Sequence, residues 1–524
     1  MTNKNEEHVD IVIIGAGFSG MYATHRLRNY KVVCLEAGAG VGGTWYWNRY
    51  PGARVDIQSV EYSYGFDEEL QQEWHWPEYF SAQPDLERYA NHVADRFNLR
   101  QHIRFSNPVE SMQFDEVENR WHVHTANGDH LLCRYVIAAT GSLTAPNLPP
   151  WPGRDQFKGD IYHTARWPAE GVDFAGKRVG FIGTGSTGIQ AMPIIAEQAQ
   201  ELVVFQRTPA FCMPSGNRPL DEEHEQDWKA HYQNRRKQML ETYGASIIEY
   251  PTATADECSP EQQAEILEQA WNSKSSFQLL FAFRDVMTNA SANELVCEFV
   301  REKIRSIVKN TETAELLCPT TYPIGGKRLC IGNGYYDMYN RENVSLVDVK
   351  ASPIVEFAEY ELDVIITATG FDAVTGAMSR IEIEGSNQST LTEKWAEGPT
   401  TYLGAMVSGF PNMFMIHGPS TPAAQAQMIT TGEWQVNWTA DIIDSMERDG
   451  LVHIDATEEA EQQWAQEVDM VSEQSLHKFA ESWYNGKNIE GKKGGFMIYV
   501  GGFPRFAELC DSAVANGYEG FIRK

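Results

Sequence analysis

VDIVIIGAGFSG, residues 9–20, is the stretch on which the fold of this chain turns. Val9 to Ile14 read as a short buried strand. Gly15, Gly17 and Gly20 follow as a G-x-G-x-x-G turn, and Met21, Ala23, His25 and Leu27 belong to a helical stretch. Strand, glycine turn and helix in this order are the dinucleotide-binding fingerprint. Gly15 permits the tight turn, Gly17 lets the backbone approach a pyrophosphate, and Gly20 lets helix and strand pack closely. The helix N-terminus then offers free N–H groups and the positive end of its dipole to the phosphates. A second strand, Lys31–Leu35, ends in Glu36, placed where a carboxylate binds ribose hydroxyls.

The pattern recurs as KRVGFIGTGSTG, residues 177–188, with Gly183, Gly185 and Gly188 in the turn. The next strand, Glu201–Phe205, leads into Gln206, Arg207 and Thr208. A carboxylate at that point would repel a 2′-phosphate, whereas Arg207 can bind one, so the second pocket is expected to take NADP rather than NAD. An acid-marked pocket beside an NADP-type pocket predicts FAD together with NADPH. Tyr135–Gly141 and Val364–Gly370 are both apolar strands ending in Ala-Thr-Gly, and each is expected to close one dinucleotide domain. Residues 221–329 are charged and helical. Leu295, Phe299, Ile304, Ile307 and Val308 mark one apolar face of a helix over Leu295–Val308. The predicted class is therefore α/β, with two Rossmann-like dinucleotide-binding domains. FAD is assigned to residues 1–150 and 372–524, NADP to 151–220 and 330–371, and a helical insertion to 221–329.

Composition narrows the partners. The 524 residues are 42% hydrophobic and 22% charged, which excludes a disordered chain and a collagen. A net charge of −29 repels nucleic acid and anionic membranes. The polar, acidic first ten residues do not read as a signal peptide, and no run of 18 apolar residues occurs, so a cytoplasmic protein without a membrane span is expected. The eight cysteines include no Cys-x-x-Cys pair. Disulfide-reductase chemistry and a ribbon-type metal site both lack their ligands, and no metal is expected.

Two further motifs narrow the chemistry. In FKGDIYHTARWP, residues 157–168, the spacing F-x-G-x-x-x-H-x-x-x-W-P has a chance expectation over the whole chain of about 6 × 10⁻⁵ from its own composition. GGTWYWNRYPGARVD, residues 42–56, fits G-G-x-W-x-x-x-x-Y-P-G-x-x-x-D. Together they resemble the signatures of type I Baeyer–Villiger monooxygenases, most closely the phenylacetone and cyclohexanone monooxygenase branch. Gly325-Gly-Lys-Arg328 stands where that family commonly has Gly-Thr-Lys-Arg, and Trp483–Asn488 resembles its nicotinamide-closing loop. The resemblance covers essentially the whole chain.

It implies that NADPH reduces the flavin, that O2 adds to give a C4a-peroxyflavin, and that a ketone is converted to an ester or lactone, with sulfoxidation as a side activity. Arg328 is implied as the catalytic cation and Asp56 as its orienting partner. A planar, permanently charged guanidinium suits anion stabilisation, and one such donor is typically worth about 3–4 kcal/mol in a transition state. Lys327 is implied to meet the NADP phosphate and Trp483 to hold the nicotinamide. The implied cofactor set also includes Thr44, Trp45, Arg54, Tyr62, Val109, Ser186, Thr187, Gln190, Thr208 and Met428. His163 and Trp167 are read as structural, setting a linker. The chain departs from the branch at Gly326, in a short connection over Pro353–Tyr360, and in Gln425 and Gln427, where an apolar substrate lining is commoner. A ketone and O2 are the expected small-molecule partners of a monomer or weak homo-oligomer. A flavin-dependent N- or S-hydroxylating monooxygenase and a non-catalytic flavin-binding redox sensor remain open alternatives.

Overall fold

The computed structural model describes residues 6–273, 275, 277–351, 354, 361–423, 425–489 and 495–524. In chain order the strands that position the site are β1 (Glu7–His8), β2 (Ile11–Ile14), β3 (Val32–Leu35), β4 (Ile103–Arg104), β5 (Val109–Asp115), β6 (Arg120–Thr125), β7 (His130–Cys133), β8 (Tyr135–Ala138), β9 (Asp160–His163), β10 (Arg178–Ile182), β11 (Glu201–Gln206), β12 (Cys212–Pro214), β13 (Cys330–Gly332), β14 (Val344–Asp348), β15 (Val364–Thr367), β16 (Glu382–Glu384) and β17 (Met413–Met415).

Two five-stranded sheets are built alike. The first runs β17-β8-β2-β3-β4 and the second β14-β11-β10-β15-β9. Every pairing in both is parallel. All four residues of β2, β3 and β8 are buried, as the apolar runs require of strands covered on both faces. Each strand ending in Ala-Thr-Gly lies beside the strand that feeds a glycine turn, β8 against β2 and β15 against β10. The first sheet is completed by β17, which follows the whole second sheet in the chain. A third sheet, β1-β7-β6-β5-β16, mixes antiparallel and parallel pairs and leans on the first.

Local chemistry adjusts the expected boundaries. Val9 leaves the first sheet to donate its N–H to Leu132 (3.0 Å), so β2 begins at Ile11. Between β12 and β13, which pair directly, lie the helices Glu222–Leu240, Pro260–Trp271, Ala290–Ile307 and Thr311–Leu317. Ala290–Ile307 starts five residues before the expected Leu295 because Asn289 caps it, its side chain accepting from Ser291 N. Ala292, Val296, Val300 and Ile304 form its buried stripe, while Leu295 and Phe299 are partly covered. Among the described residues no helix is long and apolar enough to cross a membrane.

Candidate functional site

The two glycine turns have the same stereochemistry. Gly15 has φ +101° and Gly183 has φ +112°, and a Cβ on either would strike a backbone oxygen, Ala139 O at 2.6 Å or Ala368 O at 2.3 Å. A Cβ on Gly20 would lie 1.8 Å from Gly15 O, and one on Gly188 would lie 2.4 Å from Gly183 O. These glycines let helix and strand touch. Gly17 and Gly185 differ from them: a Cβ on Gly17 approaches nothing nearer than Gly43 Cα at 3.5 Å, and one on Gly185 meets nothing within 4 Å. They open onto a cavity. The helices Phe18–Arg26 and Ser186–Gln198 carry no side-chain cap, so their first N–H groups stay available. Two cradles suited to pyrophosphates thus face one cavity of about 2020 Å³ that both turns line.

At the first cradle Glu36 accepts from Ala16 N (2.7 Å) and Gly38 N (2.6 Å). Burial raises its pKa, opposed by those two N–H groups. Trp45 donates its indole N–H to Tyr62 Oη (3.1 Å), and the rings meet edge-on at 5.9 Å. Thr44, Trp45, Arg54, Tyr62, Val109 and Met428 line the cavity. The Arg54 guanidinium, however, turns to Glu78 (3.0 Å) and to Phe80 O (3.0 Å).

At the second cradle Arg207, Thr208, Lys327 and Lys350 line the wall. The Lys327 ammonium lies 5.0 Å above the Tyr322 ring. Burial lowers its pKa, and the neighbouring charge of Arg207 lowers it further. Cations crowded together at this cost form a site for an anion. Thr208 O accepts from Thr184 Oγ1 (2.9 Å). Gln190, on the helix behind this turn, reaches the segment after the first: its Oε1 accepts from Tyr50 Oη (2.9 Å) and its Nε2 donates to Arg54 O (3.2 Å).

Between the cradles Arg328 donates from Nε to Asp56 Oδ2 (2.9 Å) and from Nη2 to Asp56 Oδ1 (2.8 Å). Its guanidinium also stacks 4.8 Å from the Phe277 ring centre. Burial pulls the Arg328 pKa down, but the Asp56 carboxylate, together with Tyr484 and Cys330, outweighs it and the net shift is upward. The Tyr484 hydroxyl lies close by, its pKa pushed up to about 12, chiefly by burial. Trp483 meets Tyr484 edge-on at 4.6 Å, and the 3-10 turn Trp483–Asn485 is capped by Ser482. Both rings line the cavity.

Most of the residues expected at the cofactors meet on this one wall. Gly20 and Gly188 stand behind it as packing glycines, while Ser186, Thr187 and Gln190 line it. His163 and Trp167 do not line it. His163 Nδ1 accepts from Ala165 N (3.1 Å), and Trp167 packs against Phe174 and Tyr162. Gln425 lines the cavity, but Gln427 does not: its Oε1 caps the helix Met428–Asp449 through Thr430 N (2.6 Å) and its Nε2 donates to Glu61 O (2.6 Å). At Gly326 a Cβ would come within 2.8 Å of Ala480 Cβ, so a threonine there would displace Ala480. The short connection over Pro353–Tyr360 falls, apart from Ile354, outside the described residues. Tyr484, Lys350 and Tyr50 were not singled out from the sequence. Tyr50 sits inside the stretch 42–56 and Tyr484 inside Trp483–Asn488, so their positions were in view but their partners were not.

Comparison with known proteins agrees with this geometry. Residues 8–318 match the family model described as flavin-binding monooxygenase-like. The chain is 40% identical to a Baeyer-Villiger monooxygenase of Pseudooceanicola batsensis, over 98% of this chain and 96% of that protein. The structure of a cyclohexanone monooxygenase from Rhodococcus sp. Phi1 bound to NADP+ superposes with a TM-score of 0.97 at 40% identity, covering 99% of this chain and 100% of that one. OTEMO in complex with FAD and NADP superposes at 0.95 and 38% identity, with coverage of 99% and 100%.

Proposed function

The chain belongs to the flavin-binding monooxygenase-like family, and within it to the FAD- and NADPH-dependent Baeyer–Villiger monooxygenases that turn ketones into esters or lactones; we propose that Arg328, held by Asp56, is the charge on which that chemistry depends. The observation that carries this reading is the two-point Asp56–Arg328 pair on the wall between the cradles.

Bound FAD, reduced by NADPH, supplies the activated oxygen. The protein supplies position and charge. As a ketone is attacked, negative charge builds on its carbonyl oxygen, and a fixed guanidinium stabilises it without reorganising. Asp56 holds the guanidinium plane through two hydrogen bonds and leaves the pair formally neutral before reaction. Tyr484 and Phe277 pack beside it and exclude water. Glu36 reads the ribose hydroxyls of FAD, while Arg207, Lys327 and Lys350 read the 2′-phosphate of NADPH. Trp483 and Tyr484 would cover the nicotinamide end of bound NADP and exclude water from the site.

We assign residues 1–150 and 372–524 to the FAD-binding domain, 151–220 and 330–371 to the NADP-binding domain, and 221–329 to a helical insertion. We further propose a cytoplasmic location and a monomer or weak homo-oligomer. The test is a panel of cyclic, linear and aryl ketones with NADPH in air. Ketone-stimulated NADPH consumption with the ester or lactone identified by mass spectrometry is expected. No oxygenated product from any ketone, with turnover of amines or sulfides alone, would point instead to a hydroxylating monooxygenase.

A further inference from the structure

On the third sheet, Trp121, Val123 and Thr125 of β6 face the core, while His122 and His124 alternate to the outer face. His124 pairs with His130 of β7, and His122 lies diagonally across from His130 on the same face. Glu7 of β1 pairs with Leu131, which brings Glu6 level with His130. The topology thus gathers side chains of the β6–β7 hairpin and of the residue just before β1, none of which lines the cavity.

Their donor atoms converge. His122 Nδ1 lies 2.9 Å from His130 Nε2. Glu6 Oε2 lies 3.8 Å from His122 Nδ1 and 3.6 Å from His130 Nε2. Metal–nitrogen and metal–oxygen bonds of about 2.0–2.2 Å set ligand–ligand edges of roughly 3.3 Å in a tetrahedron, and the three spacings bracket that value. The other ring nitrogen of His122, Nε2, lies 3.9 Å from Asp115 Oδ2. His8 Nε2 stands 3.2 Å from Glu6 Oε1, and the His124 ring stacks on His130 at 4.3 Å.

We propose that Glu6, His122 and His130 form a binding site for a divalent first-row transition metal such as Zn2+, with water completing the coordination, and that the ion ties strand β1 to the β6–β7 hairpin. Two imidazoles and one carboxylate select borderline ions over Mg2+ or Ca2+, which prefer all-oxygen sites. Since the unfolded chain cannot assemble the three donors, binding stabilises the fold.

The experiment uses tag-free holoenzyme treated with EDTA and dialysed. ZnCl2 is titrated by calorimetry, and Tm is recorded with and without ZnCl2. One saturable equivalent with micromolar or tighter affinity is expected, together with a rise in Tm. His122→Gln and His130→Gln should each weaken binding by roughly tenfold or more and abolish the rise. His231→Gln, on the exposed face of the helix Glu222–Leu240, should change neither. Bound FAD content certifies that each variant is folded. If a histidine variant loses FAD, Glu6→Gln, which lies outside the strand, carries the same test. Absence of saturable binding in the unmutated protein would overturn the proposal, as would undiminished affinity in the folded site variants. CuCl2 provides an independent readout: the electron paramagnetic resonance spectrum should show coupling to two histidine nitrogens, reduced to one in His122→Gln or His130→Gln and unchanged in His231→Gln.

Discussion

Asp56 and Arg328 are 272 positions apart in the chain and meet through two parallel hydrogen bonds of 2.8 and 2.9 Å. A fork-to-fork pair of this kind fixes the guanidinium plane as well as its position. It also joins the segment that follows β3 to the segment that precedes β13.

Removing the guanidinium should separate cofactor reduction from product formation. Arg328→Ala is expected to lower ester formation by about 10²–10³-fold, while NADPH oxidation continues more slowly and ends in hydrogen peroxide. Arg328→Lys should recover little, because a point charge does not copy the planar fork. Asp56→Asn should be a milder version. Ester and peroxide yields per NADPH, with anaerobic stopped-flow reduction, distinguish these outcomes. Ester formation near the unmutated rate in Arg328→Ala would refute the assignment.

Arg207 governs cofactor choice in this reading. Losing one charge-assisted contact costs about 1.5–3 kcal/mol. Arg207→Ala should therefore raise KM for NADPH by roughly 10–150-fold and leave KM for NADH nearly unchanged. Equal effects on the two nucleotides would remove Arg207 as the phosphate reader.

For Trp483→Ala we expect weaker NADPH binding and a larger share of hydrogen peroxide per NADPH, since the ring helps cover the cavity. Coupling and affinity at unmutated values would show that the 3-10 turn does not cover the nicotinamide.

Glu61 predicts a pH effect on stability. It is buried and accepts from Ser246 Oγ and from Ile247 N (3.2 Å), and burial pushes its pKa from 4.5 up to about 7. The folded protein thus holds this proton more tightly than the unfolded chain. Its contribution is fully present below pH 4.5 and is lost as pH rises through 7, up to about 3 kcal/mol. The buried, neutral His417 and His477, both lowered to about 4, act in the opposite sense as pH falls below 6.5. The difference between variants isolates Glu61. Glu61→Gln should be penalised in Tm at pH 5.5 and much less so, or not at all, at pH 8.5. A penalty independent of pH would contradict a protonated Glu61.

The glycine turns were legible in the sequence because each glycine answers a local steric demand, and the clashes at Gly15, Gly20, Gly183 and Gly188 are those demands made visible. Glu36 and Arg207 were legible because the parallel sheet dictates where the second strand ends. The Asp56–Arg328 pair was accessible only through family resemblance, since nothing in residues 272 apart announces a contact. Gln427 shows the converse. Its polarity suggested a substrate contact, but a long-range bond to Glu61 O and a helix start consume both ends of its amide. The histidines of β6 and β7 meet within one hairpin, but Glu6 gave no signal of joining them, because its approach depends on β1 lying beside β7.

The contact between Gly52 and Gln190 bears on how the molecule can move. A Cβ on Gly52 would lie 2.4 Å from Gln190 O and 2.8 Å from Ile194 Cδ1, so the turn after the first cradle rests on the helix of the second with no clearance. The Gln190 amide pins the same spot through Tyr50 and Arg54. A joint this tight resists sliding. A side chain at Gly52 would therefore have to push the helix Ser186–Gln198 away from the turn after the first cradle, parting the two walls of the cavity.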